Sequence, residues 1–283
     1  MKISVMHSNL RKPFDETLEL CAELGLDGVH LNCGGELDAR TTSTTDRQAI
    51  LKKIRGHGLE VSALCCWGGQ VDLGEREHHA ENIAWGKKLL EMSVDMESPI
   101  WMAHVGVMPW ETTDPRWQAF VDAAGELARY GESLGACLAM ETGPEPARIM
   151  QRLIETVGSS GLRANYDPAN LILWPVILRE RGIIAEPYEK ERALAEFEPV
   201  EGVKRLGPYT VHTHAKDALV DEQGKRKEVP LGQGFVDWQR YLGLLKEAGY
   251  DGYLAIERET GEDPVGDIRR AATFLREQLA LLG

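Results

Sequence analysis

Ala22-Glu23-Leu24-Gly25-Leu26-Asp27-Gly28 is echoed far along the chain by Lys246-Glu247-Ala248-Gly249-Tyr250-Asp251-Gly252. Each copy reads as the last turn of a helix, a helix-stopping glycine and the start of a buried parallel strand. Gly58, Gly135 and Gly161 hold the same place. Outward from these points, short apolar runs alternate with longer amphipathic stretches. The pattern predicts strands over 2–6, 28–31, 59–65, 100–104, 136–141, 162–166, 209–214 and 253–257. It predicts helices over 14–24, 46–56, 75–92, 114–134, 145–157, 238–248 and 264–282. In the last helix Asp263 is the expected N-cap, and Val265, Ile268, Ala272, Leu275 and Leu279 share one face. Eight strands alternating with helices predict an α/β fold, a (β/α)8 TIM barrel, as a single domain over 1–283. A doubly wound sheet usually has fewer strands, and no GxGxxG turn follows the first strand.

Two stretches exceed what a plain barrel needs, and both read as insertions. Residues 174–203 follow the sixth strand. Residues 218–234 follow the seventh and carry Asp221-Glu222-Gln223-Gly224-Lys225, a turn signal that predicts a hairpin. Insertions after late strands lie on the catalytic face of a barrel. They read as a lid, a substrate wall or plain surface.

Composition narrows the function. The 283 residues include 32 Lys+Arg against 45 Asp+Glu, a net charge of −13. With 43% hydrophobic and 27% charged residues the proportions are globular. The acidic balance argues against a nucleic-acid partner, because phosphates need clustered Lys and Arg. It argues equally against an anionic membrane surface. There is no run of about 18 apolar residues to span a bilayer, and 1–7 does not read as a secretory signal. Cys21, Cys33, Cys65, Cys66 and Cys137 are odd in number with no CxxC pair, so they read as reduced, buried thiols of a cytoplasmic protein.

The chemistry sits at the ends of the late strands: Ala139-Met140-Glu141, Asn165-Tyr166-Asp167, Val211-His212-Thr213-His214 and Ala255-Ile256-Glu257. In a barrel these ends converge on one mouth. Any one of these acids alone reads equally well as a helix cap or an ion-pair partner. Three carboxylates meeting there would repel unless a cation lay between them. Oxygen ligands with one imidazole suit one divalent ion, Mn²⁺ first, with Mg²⁺ or Co²⁺ as alternatives.

Met140-Glu141-Thr142-Gly143-Pro144, Asn165-Tyr166-Asp167-Pro168-Ala169-Asn170, His212-Thr213-His214-Ala215-Lys216-Asp217 and Ile256-Glu257-Arg258-Glu259 resemble the xylose isomerase-like TIM-barrel superfamily, in particular its sugar phosphate isomerase/epimerase branch. Val229-Pro230-Leu231-Gly232-Gln233-Gly234-Phe235-Val236-Asp237-Trp238 resembles the stretch before that branch's last helix. The likeness runs over nearly the whole chain. It is specific for fold and metal, not for substrate. It implies Glu141, Asp167, His214 and Glu257 as ligands of one divalent metal. His214 is chosen over His212 because the family's ligand is the His of an HxKD pattern. His212 faces the same way one layer lower, as a residue behind the metal, a substrate contact or core packing.

The resemblance also implies an activity: a metal-dependent sugar isomerase or epimerase that abstracts a proton beside a carbonyl, through a metal-stabilised enediolate. Glu141 and Glu257 are the implied acid–base pair. A lyase or dehydratase cleaving a keto-inositol or 3-keto-glycoside is the alternative on the same ligands. His7, Trp67, His104, Asn170 and Lys216 follow strand ends and are candidate substrate contacts, with ordinary packing or ion pairing as the plainer reading. His30 has no supporting context in the sequence.

Two departures from ketose 3-epimerases bear on the substrate. Asn170 stands where those enzymes carry a His, and Lys216-Asp217-Ala218-Leu219 stands where they carry an acidic-Ala-Asn-Arg run. No Arg/Lys cluster marks a phosphate pocket. An apurinic-site endonuclease of the same fold would need more His ligands and a basic face, and a non-catalytic sugar-binding barrel would not need four ligands. The expected partner is a small sugar or keto-sugar. Family members are often dimers or tetramers, so a homo-oligomer is compatible with the sequence.

Overall fold

Eight parallel strands close into a barrel in the computed structural model, which describes residues 1–66 and 71–283. The chain runs β1 (Lys2–Met6), α1 (Phe14–Glu23), β2 (Gly28–Asn32), α2 (Thr44–Gly56), β3 (Glu60–Cys65), α3 (His79–Asp95), β4 (Ile100–Ala103), α4 (Pro115–Leu134), β5 (Cys137–Glu141) and α5 (Ala147–Val157). It continues through β6 (Leu162–Tyr166), α6 (Asn170–Glu180), α7 (Lys190–Phe197), α8 (Val203–Leu206), β7 (Thr210–Ala215), β8 (Asp217–Val220), β9 (Arg226–Val229), α9 (Trp238–Glu247), β10 (Tyr253–Ile256) and α10 (Pro264–Leu281). Around the barrel the order is β1-β10-β7-β6-β5-β4-β3-β2. Lys2 opposite Tyr253 and Val5 opposite Ile256 seal it. Closure leaves no strand edge unpaired.

Short polar side chains cap the starts of four helices. Ser43 and Asp46 form a capping box on α2, and Asp114, Asp237 and Asp263 accept backbone N–H bonds at the starts of α4, α9 and α10. On α10 the expected face is turned inward, with Ile268, Ala272 and Leu275 buried in the core and Val265 and Leu279 packed at its margin. Gly25, Gly58, Gly135 and Gly249 are left-handed, as helix stops require. Gly161 is not. Gly158 ends α5, and a Cβ on Gly161 would meet the Ala128 carbonyl oxygen at 1.9 Å. Its lack of a side chain lets β6 start against α4. All five cysteines are buried and none forms a disulfide. Among the described residues no helix is long and apolar enough to cross a membrane.

Both insertions contain structure. The hairpin is there: β8 and β9 pair antiparallel from Asp217–Val229 to Val220–Arg226, and Asp221 Oδ1 accepts from Gln223 N and Lys225 N in the turn. The first insertion holds α7 and most of α6, and α8 begins at its last residue; the hydrophobic pattern reveals none of the three. In α6, Pro175 lies inside the helix, a residue that normally marks a helix end. Its neighbours Leu171, Ile172, Leu173, Val176 and Leu178 are all buried. With apolar positions all round the helix, a 3.6-residue stripe cannot show.

Candidate metal centre and active site

Because the strands are parallel, their C-terminal ends open on one mouth. Glu141 ends β5, Asp167 follows β6, His214 is the penultimate residue of β7 and Glu257 follows β10. One ligand atom from each of the four lies within 4.8 Å of all the others. None of the four residues is more than 5% exposed. His214 Nδ1 stands 2.8 Å from Glu141 Oε1, 3.1 Å from Glu257 Oε2 and 3.6 Å from Asp167 Oδ2.

Close approach is not satisfaction here. Among the described residues Asp167 Oδ2 and His214 Nδ1 are buried without a partner in hydrogen-bond geometry, and Glu141 Oε2 has the His104 ring beside it. A buried polar atom left so costs roughly 1–3 kcal/mol. Two such atoms 3.6 Å apart, on a carboxylate and an imidazole, with a carboxylate oxygen of Glu141 and of Glu257 within reach, fit the donor set of a divalent cation.

The surroundings fix each ligand. Asp167 Oδ1 accepts from the backbone N–H groups of Ala169 and Asn170 at the start of α6, at 2.8 and 3.0 Å, which leaves Oδ2 to the centre. Thr142 latches β5 to β6: its hydroxyl donates to the Asp167 carbonyl at 2.9 Å and accepts from the Asp167 N–H at 2.7 Å. Next to it, Gly143 is left-handed, and a Cβ there would meet Trp174 Cδ1 at 2.4 Å. Asn170 Nδ2 donates to Glu141 Oε1 at 3.1 Å. Lys216 Nζ donates to Glu257 Oε2 at 3.0 Å and to Glu259 Oε2 at 2.5 Å. His104 Nε2 stands 3.0 Å from Glu141 Oε2.

These neighbours set the charges. Burial works to raise the Glu257 carboxyl, but Lys216 and His214 outweigh it and hold it well below the usual range. Burial opposes ionisation of Glu141 as well, and His104 and His214 overcome it. Asp167 is pushed up to about 6 by burial, against the pull of His214 and Lys216. Burial disfavours charge on His214, yet Glu257 and Glu141 hold its imidazolium well above the histidine range.

A cavity of about 230 Å³ opens over the centre. Glu141 and Glu257 line it with His104, Asn170, Lys216 and Glu259 on one part and Leu173, Trp174, Ile177 and Arg226 on the other. The second group comes from α6 and β9, so the insertions wall the cavity. Asp167 and His214 are fully buried and are not part of its lining.

The structure therefore brings together Glu141, Asp167, His214, Glu257, His104, Asn170 and Lys216. His212 sits lower, with Nδ1 2.8 Å from Asn165 Oδ1 and Nε2 3.2 Å from Ser62 Oγ. His7 is turned to the β2 end, where its Nδ1 accepts from Asn32 N at 3.1 Å, and it does not line the cavity. Trp67 lies outside the described residues. Sequence reasoning did not single out Trp174 and Arg226 on the cavity wall, and it took Glu259 only as an ion-pair partner of Lys216, a pair the structure shows. The place of Glu259 on the wall was findable, because it lies two residues beyond the strand-end Glu257. It also missed His30, which is fully buried beneath the centre.

The sequence pattern of the xylose isomerase-like TIM barrel matches residues 18–278. L-ribulose-5-phosphate 3-epimerase UlaE of Escherichia coli is 25% identical over 95% of this chain and 90% of its own. A xylose isomerase domain protein from Planctomyces limnophilus superposes with a TM-score of 0.76 at 26% identity, over 94% of this chain and 92% of its own. A xylose isomerase-like TIM barrel protein from Mycobacterium smegmatis, solved in complex with magnesium, superposes with a TM-score of 0.74 at 17% identity, over 100% and 97%. Matched across most of its length and closed into the same barrel, the chain belongs to the xylose isomerase-like TIM-barrel family, as an enzyme of the sugar isomerase and epimerase group.

Proposed function

We propose that this chain is a divalent-metal-dependent sugar isomerase or epimerase that moves a proton on the carbon beside a carbonyl. The observation that carries the reading is the convergence of one ligand atom each from Glu141, Asp167, His214 and Glu257 under an open cavity, with Asp167 Oδ2 and His214 Nδ1 buried and unpartnered among the described residues. A divalent cation held by those four residues would supply Lewis-acid polarisation of the substrate carbonyl. Mn²⁺ is the first choice, because the donors are oxygen-rich with one imidazole.

Of the four residues, only the two glutamates reach the cavity, so they are the groups able to handle the proton. The carboxylate of one glutamate takes the proton from the carbon beside the carbonyl. The substrate becomes an enediolate, and the proton stays on that carboxyl oxygen. The other glutamate takes up a proton from water and delivers it to the opposite face of the same carbon, which inverts that carbon. Delivered to the former carbonyl carbon, with the proton of the neighbouring hydroxyl passing to the former carbonyl oxygen, it gives aldose–ketose isomerisation. Lys216 keeps Glu257 ionised and ready to act as base. Asn170 and His104 orient Glu141. Trp174 offers an aromatic face to a sugar ring. The cations on the cavity wall, Lys216 and Arg226, are each held by carboxylates, Arg226 by Glu180 at 3.2 Å. That pairing favours an uncharged keto-sugar over a sugar phosphate.

The test is proton NMR in D₂O with Mn²⁺-loaded enzyme and a panel of ketoses, ribulose 5-phosphate, keto-inositols and 3-keto-glycosides, the metal being stripped before recording. Deuterium appearing beside the carbonyl of one free ketose, with inversion there, is the expected result. Exchange followed by loss of a β-substituent would instead identify a lyase. No exchange in any compound by a metal-bound enzyme would refute proton abstraction.

A further inference from the structure

Three histidine rings cluster inside the barrel, His212 edge-on to the other two. One ring nitrogen from each of His30, His212 and His214 falls within 4.8 Å of the others, and all three residues are fully buried. Such a trio could be a second metal site, but the hydrogen bonds argue otherwise. His212 has both nitrogens engaged. Its Nδ1 faces an amide oxygen and so carries the proton, and Nε2 accepts from Ser62, which in turn accepts from Ser4 at 3.0 Å. No lone pair on His212 is left for a metal.

His30 is different. Its Nδ1 lies 3.3 Å from His214 Nε2, while its own Nε2 has no partner among the described residues. His214 turns its other nitrogen, Nδ1, to the three carboxylates. A ligating nitrogen must present a lone pair, so His214 carries its proton on Nε2. That proton needs an acceptor, and the nitrogen facing it is His30 Nδ1.

We propose that His30 is a positioning residue for the metal centre: by accepting the Nε2–H of His214 it fixes which nitrogen of that ring faces the carboxylates. The inference rests on the reading of His214 as a metal ligand. It also accounts for a neutral His on β2 in a barrel interior where aliphatic side chains are usual. His30 itself is left with a proton on Nε2 and nothing among the described residues to receive it, an arrangement that packing alone does not explain. Groups that orient metal-binding histidines this way typically change metal affinity about 10–100-fold when removed.

The experiment measures Mn²⁺ affinity, from the electron paramagnetic resonance signal of free Mn²⁺, in the full-length protein and three variants. His30→Leu removes the acceptor and is expected to weaken binding by about 10–100-fold. His30→Asn places an amide oxygen where Nδ1 was and is expected to recover most of the loss. His30→Gln keeps an amide but carries the oxygen one bond further, and is expected to bind as weakly as the Leu variant. At saturating Mn²⁺ all three variants should regain near wild-type kcat, because His30 does not line the cavity. Wild-type affinity in His30→Leu or His30→Gln overturns the proposal. So does an Asn variant as weak as the Gln variant with an unchanged melting temperature, which would mean a packing role. A wild-type protein that binds no Mn²⁺ is a separate failure, because it removes the proposed function itself.

Discussion

Glu141 and Glu145 are four residues apart, and both are buried on the barrel's open face. They titrate in opposite directions. Glu141 is drawn below the ordinary carboxyl range, because His104 and His214 stand beside it and outweigh its burial. Glu145, in the loop between β5 and α5, is pushed up to about 8 by burial, relieved only by the backbone N–H groups of Met108 and of Glu145 itself. Burial sets the cost of a charge, and neighbouring cations decide whether the charge is kept. The metal-centre region keeps its carboxylates charged. The loop behind it stores a neutral acid.

The sharpest way to break that comparison is to neutralise one glutamate in each region. Glu257→Gln, measured by steady-state kinetics at saturating Mn²⁺, is expected to lower kcat by about 10²–10⁴-fold, the usual worth of a positioned acid–base group. Glu145→Gln is expected to leave kcat unchanged. Full activity in Glu257→Gln would remove it from the proton path.

A third buried carboxylate marks the opposite extreme. Asp217, from the HxKD pattern, accepts from the backbone N–H groups of Ala218, Gly232, Gly234 and Val236 and from Trp238 Nε1, at 2.9 to 3.3 Å. It ties the β8–β9 hairpin to the loop before α9 and so seats Lys216 at the cavity. Asp217→Ala strands these donors and is expected to cost about 3 kcal/mol or more in urea unfolding. A loss below about 1 kcal/mol would show that water replaces the carboxylate.

Glu145 makes a prediction of similar size, one that depends on pH. Its carboxyl titrates at about 8 in the fold against an ordinary 4.5. Between those values the folded chain holds a proton that the unfolded chain has released. The extra stability is fully present below 4.5 and is lost as pH rises to 8. Glu145→Gln removes this titration. It is expected to gain on the wild type by about 1 kcal/mol per pH unit across that window. Urea titrations at pH 5 and pH 8 read the difference, and an equal gap at both values would refute the assignment.

How far these regions were legible depended on how local their signals are. β1 and β6 fall where the apolar runs placed them, because a buried strand is written in consecutive residues. That Glu141, Asp167, His214 and Glu257 would meet followed from four strand ends and one topology. His30 was invisible: its partner His214 is 184 residues away, and a single His in an apolar strand looks like core. α6 was hidden by Pro175 and by the cavity it walls, which covers the face that would otherwise be polar. His212 could be placed inside, but only the Asn165 and Ser62 contacts show that it is engaged on both sides.

The smallest expected effect belongs to Asn170, which joins the two ends of this range. Like the donors around Asp217, its side chain satisfies a buried carboxylate, with Nδ2 3.1 Å from Glu141 Oε1. Like the residues of the centre, it lines the cavity, where water can take its place. A hydrogen bond to a charged group is worth about 1.5–3 kcal/mol when nothing replaces it. With His104 still beside Glu141 and water able to enter, Asn170→Ala is expected to lower kcat/KM by about tenfold, toward the low end of that range. Mn²⁺ affinity should hardly change, since Asp167 keeps its own backbone donors. If Mn²⁺ affinity fell as far as kcat/KM, Asn170 would be holding Glu141 for the metal rather than for the proton.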